Sequence, residues 1–260
     1  MGQDCDYTTV TELPGHRILQ EQMERLYQRY YFASRFCGGK GVLEAACGAG
    51  VGLGIMAKTA RQVVGGDINK TNLTVAQEYY KYRANLDFGL LDAHSLPFAD
   101  NSFDVVVLYE AIYYLAWPER FIAEAHRILR PGGTIILGTA NKDWSDFNPS
   151  PFSTRYFSAP ELYQLLKQKF PQVEIYGAFP ASTNSARGRL VSVIKKTAVR
   201  LNLMPKTMRG KELFKRIFFG QLMPLPAEIT DGMAGYYEPA PISGDAPDSR
   251  HKVLYAVAHA

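Results

Sequence analysis

A glycine-rich turn near the start of the chain combines residue types that can bind a charged ligand. The run GVLEAA is short and apolar, as a buried strand is, and it passes directly into CGAGVGLG. Glycines let the backbone turn sharply and approach a ligand without a Cβ clash. A helix that starts here presents free N–H groups and a positive dipole end, which suit a carboxylate or a phosphate. The candidate binding residues of this turn are Glu44, Ala46, Cys47, Gly48 and Gly50.

Two further carboxylates follow the next two predicted strands. Asp67 ends VVGGDI, about twenty residues after the glycine turn, where an acid can accept both ribose hydroxyls of an adenine nucleoside. Asp92 ends FGLLDA, where a carboxylate could take an adenine amino group. Each acid could instead be a solvated strand end, and Asp67 could be a helix N-cap. With Glu44, however, three acids lie in register at three consecutive strand ends, which favours a bound nucleoside over a turn without a ligand.

The elements that must position these residues alternate along the chain. The candidate strands are GVLEAA, VVGGDI, FGLLDA, FDVVVLYE, TIILGTA, VEIYGAF and HKVLYAVAHA. The candidate helices are HRILQEQMERLYQRYYFASRF, IMAKTARQ, NKTNLTVAQEYYKYRAN, PERFIAEAHRIL and APELYQLLKQKF. Alternating strands and helices predict an α/β fold with a parallel sheet that helices cover on both faces.

About seventy residues between Phe179 and His251 interrupt this alternation, which is long for a connection inside a compact domain. We therefore predict three parts. They are an N-terminal helical cap at 1–36, a Rossmann-like core at 37–180 and 251–260, and a basic helical insert or lid with a Pro- and Gly-rich loop at 181–250.

The motifs, in this order, resemble the class I S-adenosylmethionine-dependent methyltransferase superfamily, in particular its type 11 small-molecule group. The matching pieces are VLEAACGAGVG, GGDI, LLDAHSLPFADNSFDVVV and FIAEAHRILRPGGTIIL. The resemblance implies a doubly wound, seven-stranded sheet with one antiparallel strand near the C-terminus, and S-adenosylmethionine as the cofactor. It also implies that Gly48 and Gly50 line the methionine moiety, that Asp67 binds ribose, and that Asp92 with Ala93 holds adenine.

The sequence departs from the family pattern at two places. Ala46 stands where the family often has glycine, a change that is tolerable if the backbone φ there is negative. Tyr113 and Tyr114 stand where many relatives carry Glu-His, so a histidine base is absent at that place. The glycine spacing G-A-G-V-G also differs from G-x-G-x-x-G, which disfavours a dinucleotide.

The methyl acceptor needs residues of its own. A sulfonium methyl is already activated, so in-line positioning of the nucleophile can suffice, and a base helps only where the nucleophile must lose a proton. The candidate catalytic residues are His94, Glu110, Tyr113 and Tyr114. Each has an ordinary structural alternative, since the tyrosines could simply wall the pocket and His94 could bond a loop carbonyl.

Four more residues complete the predicted cofactor set. Tyr30 and Tyr31, on the predicted N-terminal helix, could close over the cofactor or pack in the core. Ile68 and Tyr109 stand at the ends of two predicted strands. Within the glycine turn itself, Cys47 is better explained as a small apolar filler than as a nucleophile.

The composition limits the class of protein. A chain of 260 residues with 47% hydrophobic and 21% charged residues is typical of a globular enzyme, and a net charge of +4 does not demand a nucleic-acid partner. Cys5, Cys37 and Cys47 lack the spacing of a metal site, so no metal is expected, and their small number fits a reducing cytoplasm. We identify neither a signal peptide nor an apolar run of the roughly 20 residues that span a bilayer.

The segment 187–216 carries ten Lys and Arg residues against the single acid Glu212, with apolar residues interleaved. Such a cationic, amphipathic pattern binds membrane surfaces or covers acidic ligands. The simpler interpretation, which we favour, is a helical lid with solvated charges. If the charge is functional, the acceptor is anionic, such as a phosphate-linked sugar or lipid carrier, and nucleic acid is disfavoured because no stacking aromatics accompany it.

Taken together, the sequence predicts a cytoplasmic methyltransferase, a monomer or homodimer with possible contact to a membrane surface. Its acceptor is a small molecule or biosynthetic intermediate held in a tyrosine-lined pocket. Two alternatives stay open. One is a nucleoside- or dinucleotide-using enzyme on a similar sheet, and the other is a non-catalytic protein that binds the cofactor or a membrane.

Overall fold

The structure is a computed structural model, and it describes residues 11–180 and 222–260. The strands are β1 (Arg17–Leu19), β2 (Gly41–Ala45), β3 (Gln62–Asp67), β4 (Leu86–Leu90), β5 (Phe103–Tyr109), β6 (Leu129–Ala140), β7 (Gln172–Pro180), β8 (Leu222–Pro224), β9 (Ala240–Ile242) and β10 (His251–His259). The helices are α1 (Gln20–Ser34), α2 (Leu53–Ala57), α3 (Lys70–Tyr80), α4 (Pro118–Ile128) and α5 (Ala159–Lys167). Strands and helices alternate through the core, as the sequence predicts.

One sheet contains eight of these strands, in the order β4-β3-β2-β5-β6-β10-β7-β9. The strands from β4 to β6 pair in parallel, and β10 is antiparallel to both of its neighbours. The doubly wound α/β fold and its antiparallel strand near the C-terminus are therefore confirmed. The expected count of seven was one short, because the three-residue strand β9 adds an antiparallel edge beside β7. A strand this brief leaves no periodic pattern in the sequence.

The sheet is buried on both faces, and β5 shows how its sequence achieves this. Val105, Val107 and Tyr109 pack into the apolar layer that contains α1 and α2. Val106 and Leu108, which alternate with them, pack into the opposite layer with α4 and α5. Because successive side chains of a strand point to opposite faces, a strand covered on both sides is apolar throughout. The sequence FDVVVLYE therefore places a central strand whose C-terminal end can carry a functional residue.

Two helix boundaries differ from the sequence prediction. Helix α1 begins at Gln20 rather than near residue 16, because β1 pairs with β8 in a separate two-stranded sheet. The side chain of Gln22 accepts a hydrogen bond from the N–H of Leu19 at 2.9 Å and so closes the first turn. Helix α2 is shorter and earlier than IMAKTARQ, since the chain passes straight from the glycine turn into a helix and has already entered β3 at Gln62.

The residues after β8 fasten the glycine turn from outside. Ile229 is fully buried, and its N–H donates to the carbonyl of Val51 at 2.7 Å. Glu228 accepts two hydrogen bonds from Arg83, at 2.9 and 3.0 Å. The predicted basic segment 187–216 lies outside the described residues, so the division into cap, core and insert stays a prediction. Within 11–180 and 222–260, no helix combines the length and apolar character needed to cross a bilayer.

Candidate functional site

A cavity of about 340 Å³ opens at the carboxyl ends of the central strands. Its walls include the turn after β2, the last residue of β3, the loop after β4 and the residues that follow β5. The strand order reverses between β2 and β5, because β3 and β4 extend the sheet to one side and β6 to the other. Such a switch point is where doubly wound sheets bind ligands, and the volume is in the range of small-molecule sites.

The glycine turn adopts left-handed backbone conformations. Gly48 has φ +55° and Gly50 has φ +72°, values that glycine adopts without steric penalty. Ala46 has φ +95°, so the condition under which alanine would be tolerated here without strain, a negative φ, is not met. The N–H groups of Ala46 and Cys47 both donate to the carbonyl of Gly66, at 2.7 and 2.8 Å, and hold the turn in this shape. The Cβ of Ala46 is therefore kept in a conformation that disfavours L-residues by about 1 kcal/mol.

Asp67 fixes the glycine turn to the end of β3. Its Oδ2 accepts the N–H of Gly48 at 2.8 Å, and its Oδ1 accepts the N–H of Asn69 at 2.8 Å. Burial raises the pKa of the Asp67 carboxyl, and these backbone hydrogen bonds oppose the shift. A carboxylate offers about four acceptor positions, so Asp67 keeps acceptor capacity toward the cavity that it lines.

Asp92, Ala93 and His94 form the wall beyond β4, as the sequence predicts. The Oδ1 of Asp92 accepts the backbone N–H of His94 at 2.9 Å and lies 2.7 Å from the Nδ1 of its ring. The Nε2 of His94 accepts the backbone N–H of Trp117 at 3.4 Å. Both ring nitrogens of His94 are therefore engaged, which favours a role in shaping the loop over a role as a base. Ile68, whose side chain is exposed, lines the same end of the cavity.

Glu44 lies beneath the cavity and not in its wall. It is fully buried, and one of its carboxylate oxygens accepts the hydroxyl of Tyr30 at 2.9 Å. The other oxygen, Oε2, is buried without a hydrogen-bond partner among the described residues. Burial raises the pKa of Glu44 to about 7, although the Tyr30 hydrogen bond and the charge of Arg29 act in the opposite direction. Glu44 therefore supports Tyr30, which does line the cavity.

Two other predicted cofactor residues also lie outside the cavity wall. Gly50 turns away, and its carbonyl accepts the hydroxyl of Tyr80 at 3.1 Å. Tyr31 packs against Tyr27, with 5.6 Å between ring centroids, and against Tyr236, at 4.5 Å. For Tyr31 the structure thus matches the core-packing alternative, and of the two tyrosines only Tyr30 reaches the cavity.

Glu110 follows the end of β5 in a strained conformation. Its φ is +50°, unusual for a residue with a Cβ, and its carboxylate accepts the hydroxyl of Tyr113 at 2.9 Å. Burial raises the pKa of Glu110, while the charge of Arg29 and the Tyr113 hydrogen bond oppose that shift. Strain of this kind is common where a side chain is held for function. Tyr113 and Tyr114 line the cavity beside it.

Tyr109 completes the aromatic wall at β5. Its ring meets that of Tyr30 edge-on, with 5.6 Å between centroids. Its hydroxyl is buried and has no hydrogen-bond partner among the residues that the structure describes. A buried hydroxyl of this kind usually finds a partner in a ligand or a water molecule.

A second set of lining residues was not predicted from the sequence. They are Thr11, Glu12, Gln22, Arg25, Arg29, Val253 and Tyr255, and several apolar residues line the cavity with them. Gln22, Arg25 and Arg29 follow each other at intervals of three and four, so they occupy one stripe of α1. That polar stripe was a usable signal. Thr11 and Glu12 precede any regular element, and no pattern marks them.

The thiols are not poised to react. Cys37 and Cys47 are buried, and burial raises the pKa of both thiols. Cys47 lines the cavity as an apolar group, as the sequence analysis favoured. Within 11–180 and 222–260, no group of three His, Cys, Asp or Glu side chains is arranged to hold a metal ion. Cys5 lies outside the described residues.

Comparisons with known proteins identify the core. Residues 43–137 match the family model described as a methyltransferase domain. A probable S-adenosylmethionine-dependent methyltransferase of Mycolicibacterium smegmatis is 39% identical over 173 residues, which is 64% of this chain and 64% of that protein. The chain therefore spans less than two thirds of this relative's length.

The chain is also similar to a second methyltransferase and to a solved structure. The phthiotriol/phenolphthiotriol dimycocerosates methyltransferase 1 of Mycobacterium ulcerans is 38% identical over 114 residues, 43% of this chain and 39% of that protein. The crystal structure of the [4+2]-cyclase SpnF is similar with a TM-score of 0.55, at 20% identity, covering 91% of this chain and 80% of that one. A cyclase on this fold shows that the fold alone does not set the reaction.

Proposed function

We propose that this chain, which belongs to the class I S-adenosylmethionine-dependent methyltransferase superfamily, transfers a methyl group from S-adenosylmethionine to a small-molecule acceptor. One observation carries the proposal. A single cavity at the switch point of the sheet brings together the glycine turn, Asp67 and the Asp92–Ala93 loop, all from consecutive strand ends. These are the positions at which the sequence motifs predict methionine, ribose and adenine.

The cavity wall fits such a cofactor. Gly48 has a left-handed backbone and no Cβ, so a ligand can lie close to the turn. Asp67 retains acceptor capacity for hydroxyl groups, and Ile68 with Ala93 offers apolar surface for a flat ring. When bound, S-adenosylmethionine supplies a methyl group that its sulfonium already activates. The protein's main task is then to position the acceptor and exclude water.

The acceptor end of the cavity is aromatic. Tyr109, Tyr113, Tyr114 and Tyr255 line it, together with Tyr30 from α1. Tyrosine rings supply a rigid, largely apolar surface with polar edges, which suits in-line positioning of a small acceptor. Where the acceptor must lose a proton, Glu110 is the group that can take it, because its carboxylate lies in the wall and bonds Tyr113.

Our proposal for the class of acceptor rests on the name of one relative. The printed name of the Mycobacterium ulcerans protein gives it a lipid acceptor, and we propose for this chain a biosynthetic intermediate that is small or lipid-linked. We also propose that the 187–216 segment contacts a membrane surface, that the protein is cytoplasmic, and that it is a monomer or a homodimer. Reversing the charges of Lys195, Lys196 and Arg200 should then weaken binding to acidic vesicles without changing cofactor affinity.

Calorimetric titration with S-adenosylhomocysteine tests the proposed function. We expect micromolar binding that Asp67→Ala weakens about tenfold or more, equivalent to about 1.4 kcal/mol. Asp87→Ala is the matched control, because Asp87 is an exposed acid of β4 that bonds Gln62 and lies outside the cavity. It should leave the affinity unchanged. Absence of binding by the wild-type protein, with binding of NAD or a nucleotide instead, would overturn the proposal.

A further inference from the structure

Helix α1 places two guanidinium groups in the aromatic part of the cavity wall. Arg25 and Arg29 lie on the same stripe of the helix, facing a chamber that Tyr109, Tyr113 and Tyr255 also line. Taking charged groups out of water is unfavourable unless they are paired and hydrogen-bonded. Arg29 is nearly buried and therefore needs partners, whereas the side chain of Arg25 is 35% exposed and only part of it is shielded from water. The partners among the described residues account for only part of the hydrogen-bonding capacity of each guanidinium group.

Arg29 is the more deeply buried of the two. Its side chain is 11% exposed, and Nη2 bonds the Oε2 of Glu12 at 2.7 Å. Its guanidinium also lies over the ring of Tyr30, 5.2 Å from the centroid. Its Nε–H is buried without a hydrogen-bond partner among the described residues. One carboxylate thus neutralises the charge of Arg29, but it does not occupy all of the N–H donors of the guanidinium group.

Arg25 shares its carboxylate partner with a second cation. Nη2 of Arg25 bonds the Oε1 of Glu21 at 2.7 Å, but Lys252 bonds the same oxygen at 2.6 Å. Two cations therefore share one acid. The Nε–H of Arg25 is also buried, and the part of the chain that the structure describes offers it no partner. The guanidinium lies 5.7 Å from the ring centroid of Phe179, next to the end of β7.

Glu110 is a further acid that interacts with both guanidinium groups. Arg29 and Arg25 both act to lower the pKa of its carboxyl, against the larger effect of burial. When Glu110 is ionised, the three acids Glu12, Glu21 and Glu110 balance Arg25, Arg29 and Lys252. When both Glu110 and Glu44, which also interacts with Arg29, hold their protons, one of these three positive charges is left without an acid among the described residues.

We propose that Arg25 and Arg29 form a binding subsite for an anionic group, a carboxylate or a phosphate, on the methyl acceptor. The inference rests on the proposed function and names the acceptor's class. A guanidinium fork matches either anion in geometry and charge. The subsite is also distinct from the predicted ribose and adenine positions. Those positions lie at the ends of β3 and β4, whereas Glu110 and Tyr255, which line the cavity with the two arginines, come from the end of β5 and from β10, on the other side of β2 in the sheet.

Binding of matched anionic and neutral probes tests the subsite. Benzoate with benzamide, phenyl phosphate with phenol, and decanoate with decanol are titrated into protein saturated with S-adenosylhomocysteine. We expect at least one anion to bind about tenfold more tightly than its neutral partner. Arg25→Gln and Arg29→Gln should each remove that preference while leaving the affinity of the neutral probe unchanged.

Three further variants separate charge recognition from folding. Arg35→Gln is the matched control, because Arg35 caps the end of the same helix and pairs with Glu238 at the surface, outside the cavity. Glu21→Gln removes an ion-pair partner of Arg25 but keeps the guanidinium. Both should retain the preference for the anion. The double variant Glu12→Gln with Arg29→Gln removes the buried pair together, and so tests Arg29 without leaving Glu12 unpaired.

The outcomes distinguish this subsite from the cofactor site. A wild-type protein that binds S-adenosylhomocysteine but shows no anion preference in any pair, at probe concentrations up to about 10 mM, overturns the subsite alone. An Arg29→Gln variant that loses cofactor affinity about tenfold and keeps the anion preference would also overturn it, since the guanidinium would then serve the cofactor's own carboxylate. Failure of the wild-type protein to bind S-adenosylhomocysteine would refute the proposed function, and the probe pairs would still be measured on the cofactor-free protein.

Discussion

The two ends of the cavity are built in different ways. At the cofactor end, the wall is made of successive strand ends, and the left-handed backbone at Gly48 and Ala46 sets its shape. At the proposed acceptor end, the wall is made of side chains from α1, the residues after β5 and strand β10, which are far apart in the sequence. The first end depends on local turns, and the second depends on how distant elements pack.

Tyr30 joins the two ends. Its ring lies against the glycine turn so closely that a Cβ on Gly52 would come within 2.1 Å of it. Its hydroxyl bonds Glu44, which lies below the turn at the end of β2. Helix α1, which also carries Arg25 and Arg29, therefore packs directly on the glycine turn. Substitutions at the contacts of Tyr30 and in the turn itself test whether the two ends of the cavity depend on each other.

The largest effect is expected from Glu44→Gln, through the pH dependence of stability. The folded protein holds the Glu44 proton up to about pH 7, whereas an unfolded chain releases it near its ordinary pKa of 4.5. The free energy of unfolding therefore falls as the pH rises between these two values and is constant above them. The shift corresponds to about 3 kcal/mol. Urea unfolding at about pH 5 and about pH 8 isolates this contribution, because the change in unfolding free energy between the two pH values should differ between wild type and variant by about this amount. An equal pH dependence in both proteins would show that Glu44 does not titrate in this range.

A smaller effect is expected from Gly52→Ala, which pushes α1 away from the turn. The added methyl group meets the ring of Tyr30, and overpacking of this kind destabilises a protein by about 2 kcal/mol. Gly89→Ala is the control, because a Cβ at Gly89 meets no atom within 4 Å. The thermal midpoint should fall in the first variant only. Equal midpoints would mean that α1 can shift freely, and the two ends would then be independent.

The smallest effect is expected from Ala46→Gly, which changes only the cofactor end. Its φ of +95° penalises alanine and not glycine, so the variant should be more stable by about 1 kcal/mol in urea unfolding. Affinity for the anionic probes should be unchanged. A less stable variant would indicate that the alanine methyl makes contacts that outweigh the strain.

The same difference explains what could be predicted from the sequence. Alternating strands and helices predicted a parallel sheet covered on both faces, and the family resemblance supplied its doubly wound order. The positions of Gly48, Asp67 and the Asp92–Ala93 loop in the cavity followed from the rule that parallel strand ends meet at one edge. The φ of Ala46 did not follow, because two hydrogen bonds to Gly66 impose it from the neighbouring strand.

The acceptor end was largely beyond sequence reasoning. The spacing of Arg25 and Arg29 marks a polar stripe on the helix, but only packing shows that this stripe faces the cavity and not solvent. Glu12 pairs with Arg29 across seventeen positions, and Tyr255 arrives from the last strand of the sheet. Neither relation leaves a periodic or spaced pattern. Tyr31 was assigned to the cofactor because neighbouring helix positions cannot be separated into wall and core without the packing partner, here Tyr236.

Strand β7 has a consequence for how the chain is made. Both of its partners, β9 and β10, come later in the sequence, and β10 begins about seventy residues after β7 ends. At roughly 5–20 residues per second, a ribosome takes about 4 to 14 seconds to reach β10, and until then the facing edges of β6 and β7 lack the strand that joins them. Exposed strand edges of this kind pair with other chains. The yield of soluble protein should therefore depend on the speed of translation between these two strands and on chaperones that shield the growing chain.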